Sequence, residues 1–139
     1  MGPIFNNIVS AFAALVAFAA FVSSWRTARA VDRQKFYADL DLLYQKVLEL
    51  GVAYPILIDP ARTTDYQRRF TGDDLHRYNA YAFNVWNVCE SIHDYCKGDE
   101  ALWETWEPVI EAENNLHRAW LKDNQTKFKR GFLAYMKVL

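Results

Sequence analysis

Four residues have types and spacings that suit a metal ion: Glu90 and His93 stand three apart, and Glu113 and His117 four apart. On a helix, either spacing puts both members of the pair on one face, where a carboxylate and an imidazole can share a cation. Di-metal helical bundles use a Glu-x-x-His pair on each of two facing helices and add two further inward glutamates. Here that motif occurs once, and the other pair has the wrong spacing for it. The competing use of Glu113, Asn114 and His117 is a hydrogen-bonded polar layer beneath the tryptophans, with Glu90 and His93 left in water. A metal-dependent helical-bundle enzyme built on the four residues is therefore the second reading, and no catalytic residue or cofactor is assigned.

Other chemistries have less to stand on. No serine or cysteine lies beside an identifiable base in a strand-turn-helix context. The 5 glycines are scattered singly, so there is no phosphate-cradling loop and no nucleotide is expected. With 16 Lys and Arg against 17 Asp and Glu, the net charge of -1 lacks the cationic excess that phosphate neutralisation needs, so no nucleic acid is expected either. Cys89 and Cys96 are seven apart on a predicted helix, about 10 Å along its axis. That is too far for a mutual disulfide, and both suit buried positions as free thiols.

The elements that position these residues follow from apolar spacing. Phe36, Leu40, Leu43, Val47 and Leu50 recur at 4, 3, 4, 3 and predict one apolar stripe on a helix running to Gly51. The stripe is short for a freestanding coiled coil, which makes packing against the rest of the chain the expected use. Pro55, Asp59-Pro60 and Thr63-Thr64 mark an ordered crossover, followed by a short helix around residues 65–70. Leu75, Tyr78, Ala82, Val85, Trp86, Cys89, Ile92 and Cys96 predict the strongest amphipathic helix, from about Asp73 to Cys96. Lys97-Gly98-Asp99 ends it and caps the next, from Glu100 to about Lys122, in which Pro108 predicts a kink or break. A final helix carries Phe128, Phe132, Tyr135, Met136 and Leu139 on one side. Four of the 5 tryptophans fall in the two central helices, and Trp103 and Trp106, three apart beside acids and Pro108, form a possible partner surface.

Residues 4–25 carry no charge, and the run from Ile8 to Val22 is close to uniformly apolar. A span of about twenty such residues matches a hydrocarbon core of ~30 Å, which predicts a transmembrane helix. Arg26, Arg29, Arg33 and Lys35 follow it and no cation but the amino terminus precedes it, placing the C-terminal side in the cytoplasm. Ser10 with Ala14, Ala13 with Ala17, and Ala20 with Ser24 are each four apart, a small-residue face that another membrane helix could approach closely. The expected domains are a stub and anchor at residues 1–25 and a helical bundle at residues 26–139 whose first helix continues from the anchor. Charge is uneven in that bundle: eight acids against Lys97 between Glu90 and Glu113, then six cations against Asp123 from Arg118 onward. The basic end can pair with the acidic helix before it or rest on anionic lipid as a surface sensor.

The stretches Phe83-Asn84-Val85-Trp86-Asn87-Val88-Cys89-Glu90, Leu102-Trp103-Glu104-Thr105-Trp106 and Glu113-Asn114-Asn115-Leu116-His117-Arg118-Ala119-Trp120 resemble bacterial membrane proteins of the DUF4760-like group. The resemblance implies an N-terminal span and a short helical domain, and carries over no catalytic residue. The combined expectation is an all-α protein, with a transmembrane helix continuing into a cytosolic bundle of about four helices, single-pass in the inner membrane with its N-terminus outside. Its expected work is interaction: contact with lipid, and with other transmembrane helices of its own kind or of a larger complex, as a homo-oligomer or accessory subunit.

Overall fold

The computed structural model describes the backbone of residues 3–139, and the side chains of that range except at positions 3–17, 19, 26, 29, 30 and 33. Among the described residues all regular structure is helical: α1 (Pro3–Ala53), α2 (Pro60–Thr63), α3 (Tyr66–Arg69), α4 (Gly72–Cys96), α5 (Glu100–Asp123) and α6 (Arg130–Tyr135), with single 3-10 turns at Pro55–Ile58 and Gln125–Lys127. The chain divides into two compact units, residues 1–39 and 40–139.

The expected membrane span is corrected by the structure. No helix, among the described residues, is long and apolar enough to cross a membrane. Alanine, which dominates the sequence here, removes a single methyl from water per residue and gains little from the transfer. The inner-membrane, single-pass placement and the outside N-terminus derived from that span fall with it. Of the small-residue face, the side chains of Ser10, Ala13, Ala14 and Ala17 lie outside the described residues, while Ala20 and Ser24 are exposed. Phe18, Phe21 and Trp25 are exposed as well.

The second unit is built on the α4/α5 hairpin. Its turn is closed by Asp99, whose Oδ1 accepts the Leu102 N–H at 3.2 Å and caps α5, with Glu100 complementing the positive end of that helix. Asp59 does the same for α2, accepting from the Ala61 N–H at 2.9 Å, with Pro60 in the first turn where its missing N–H is harmless. Gly72 opens α4 at φ +54°, a conformation that penalises a Cβ, and Asp73 and Asp74 fill the first turn.

Three features differ from expectation. Gly51 does not end α1, which continues to Ala53; the glycine is buried inside the helix, where an added Cβ would lie 3.1 Å from Ile58 and 3.2 Å from the Tyr81 hydroxyl. It is there for close approach. Pro108 lies on the exposed side of α5, which passes it unbroken. The last helix is only six residues long. Beyond it Lys137 takes φ +52°, so that Phe128, Phe132 and Met136 are buried while Leu139 is exposed.

The core of this unit is aromatic. Trp86, Trp120, Tyr78, Phe70 and Phe132 are fully buried, and Phe70 stacks on Tyr78 with ring centroids 4.5 Å apart. From α1 it receives only Leu40, Val47 and Gly51, with Tyr44 half-buried between them. The other members of the α1 stripe in this unit, Leu43 and Leu50, remain 46% and 39% exposed.

Candidate functional site

Two of the four candidate ligands do come together, in the interior. Glu113 and His117, one turn apart on α5, are 4% and 0% exposed, with Glu113 Oε2 3.6 Å from His117 Nε2. Tyr44 of α1 donates its hydroxyl hydrogen to Glu113 Oε1 at 3.0 Å. Tyr78 of α4 lies 3.0 Å from His117 Nδ1, and the Trp86 indole N–H donates to the His117 carbonyl at 3.3 Å. One polar line therefore crosses the core from α1 through α5 to α4, with the Tyr81 ring edge-on to the imidazole.

Burial sets the protonation of this line. Desolvation raises the Glu113 carboxyl above its ordinary value, partly opposed by the Tyr44 hydrogen bond, and lowers His117 to about 4. The imidazole is neutral near pH 7, so the contact with Glu113 is not a pair of opposite charges. Desolvation likewise raises Tyr44, Tyr78 and Tyr81, which keep their protons. When Glu113 is ionised, Tyr78 donates to Nδ1 and the ring proton sits on Nε2, facing the carboxylate. When Glu113 is protonated, its own hydrogen can face Nε2, and the ring proton moves to Nδ1. Either arrangement suits a structural core network, and the burial of both groups keeps substrate away from them.

Glu90 and His93 have different work. Glu90 Oε1 accepts the Lys129 backbone N–H at 2.7 Å, at the start of α6. His93 is buried among Trp103, Phe132 and Tyr135, with Asp94 Oδ1 3.3 Å from its Nδ1. The two pairs do not converge: among the described residues no group of three or more His, Cys, Asp or Glu is placed to hold a metal ion. Cys89 and Cys96 are buried and unbonded to each other, and desolvation raises both thiols away from reactivity.

The two tryptophans considered as a partner surface differ in burial. Trp106 is 4% exposed and meets the Tyr44 ring edge-on, while Trp103 is half-buried and edge-on to Tyr135. Several cations of the C-terminal region also have partners within the fold. Lys129 pairs with Asp94 of α4, and its hydrogen bond holds that carboxyl below its usual range. Arg118 donates to the carbonyls of Met136 and Lys137, each at 3.0 Å. Lys127 lies 4.9 Å from the Trp120 ring centroid.

The second unit also leaves an apolar surface open. A groove of about 350 Å³ runs between α1 and α4, lined by Leu43, Val47, Leu50 and Val88 and edged by Lys46, Asn84, Asn87 and Ser91. Val47 and Val88 form its buried floor, and Leu43 and Leu50 its exposed wall. On the other side of α1, Leu48 and Val52 stand 48% and 76% exposed between Gln45 and Glu49. Sequence reasoning found the stripe that lines the groove but missed Leu48 and Val52, whose signal was a leucine and a valine four apart outside that stripe. It also missed Tyr44 and Tyr78 as the partners of Glu113 and His117. Compared with protein-family models, curated proteins and solved structures, the chain matches none.

Proposed function

We propose that residues 40–139 form a helix-docking interaction module, an accessory or structural unit whose work is to bind an amphipathic helix in the α1/α4 groove. One observation carries this reading: the heptad stripe of α1 is half-covered. Leu40 and Val47 are buried by the domain itself, whereas Leu43 and Leu50, seven residues apart, stay exposed along the groove. A seven-residue repeat is the spacing at which one helix accepts the side chains of another, and two exposed leucines over two turns make such a seam. The rim supports the reading, since Asn84, Asn87 and Ser91 offer polar edges to a floor that excludes water. The buried Glu113 and His117 support it too, because they are closed within the core against Tyr44 and Tyr78.

The test uses a fluorescein-labelled synthetic helix with leucines at i, i+4 and i+7. Its anisotropy is expected to rise on titration with the protein, and the Leu43→Glu variant is expected to weaken binding at least tenfold. A flat titration, or one that Leu43→Glu leaves unchanged, removes the proposal.

A further inference from the structure

We infer that the helix received by the groove is α1 of a second copy, docked by its opposite face, so that copies associate head to tail; this rests on the helix-docking reading above. The α1 segment of the second unit has two apolar faces. Leu43, Val47 and Leu50 belong to the groove; Leu48 and Val52, one turn apart, form a ridge with Gln45, Glu49 and Ala53. At 100° per residue the two faces fall on roughly opposite sides of the helix. The domain covers the floor of the first and leaves the second bare, with Val52 76% exposed.

The charges suit that pairing. Lys46 is the one charged residue edging the groove, and Glu49 the one charged residue of the ridge. Neither forms an ion pair among the described residues. Laid into the groove of a neighbour, the ridge brings Glu49 toward Lys46 while Leu48 and Val52 meet Leu43 and Leu50. A contact between two different faces of identical chains is heterologous and leaves one groove and one ridge open at each end. The interface spans about two helical turns, below the size of a stable dimer, so association is expected in the micromolar range or weaker.

Sedimentation velocity of the full chain over a range of concentrations tests this. The wild type is expected to gain mass steadily with concentration, without stopping at a dimer. Lys46→Glu and Glu49→Lys are each expected to weaken association about tenfold at low salt. The double variant K46E/E49K, which exchanges the two charges, is expected to restore it. Circular dichroism of every variant confirms the fold, and all three positions changed in these tests, with Leu48→Asp as the apolar counterpart, are on the surface. A monomer at all concentrations, closed dimers, or failure of the exchange to restore association overturns the head-to-tail arrangement. If the labelled leucine helix still binds in a Leu43-dependent way, only the self-docking falls; if it does not, the helix-docking reading falls too.

Discussion

At the scale of the residue, Glu113 and His117 show how burial reverses a reading of chemistry. A carboxylate and an imidazole one helical turn apart suggest ligands for a cation, yet their nearest partners are two tyrosines and each other. The energetic consequence is a stability that depends on pH from both sides. His117 titrates near 4 in the fold and near 6.5 in the unfolded chain, so its contribution is complete above pH 6.5 and lost as pH falls toward 4. The two values bound that contribution at about 3 kcal/mol, since a pKa unit is worth about 1.4 kcal/mol. Glu113 is shifted upward, so its contribution is complete below the ordinary carboxyl value and is lost as pH rises through the raised one. In Glu113→Gln the loss of stability that sets in above the ordinary carboxyl value is expected to vanish, so that urea midpoints rise with pH more steeply than in the wild type, while the fall below pH 6.5 remains. A variant whose urea midpoints follow pH as the wild type does would show that another group is responsible.

At the scale of the element, the helices are held by devices the sequence announces unequally. Asp59 and Asp99 are caps legible from their positions before Pro60 and Glu100. The short C-terminal helix is anchored from a distance, by Glu90 at its start and Arg118 just past its end. No local pattern could reveal that, because both anchors lie on other helices. Pro108 is the local conflict in α5: it cannot supply the N–H that the carbonyl of Glu104 would accept, and its ring crowds that carbonyl. The helix continues because Trp106, Ile110 and Glu113 are packed on its buried face, and tertiary contacts override the local penalty. Pro108→Ala, at an exposed position, is therefore expected to raise stability by up to about 3 kcal/mol, read as a higher midpoint in thermal or urea unfolding. A neutral or destabilising result would mean that the proline itself packs in a way that compensates for the missing hydrogen bond.

At the scale of the whole molecule, the division between the two compact units falls between residues 39 and 40, inside a continuous helix. Composition changes at residue 26; packing changes at Leu40, the first α1 residue with a buried side chain among those described. A chain of residues 38–139 retains the whole aromatic core and is expected to unfold cooperatively, with a thermal midpoint within a few degrees of the full chain. A broad, non-cooperative transition in that fragment would show that the first unit supports the second.

The long helices α4 and α5, their order and limits, and the apolar stripe of α1 were determined by the sequence alone, because 3.6-residue periodicity, caps and turn residues act over a few neighbours. The unbroken course past Pro108, the partners of Glu113 and His117 and the burial of Trp106 were decided only by the tertiary structure. So was the division of the α1 stripe into buried Leu40 and Val47 and exposed Leu43 and Leu50. The reason is physical: periodicity tells which side of a helix is apolar, while the amount of that side that is covered depends on what the rest of the chain lays against it.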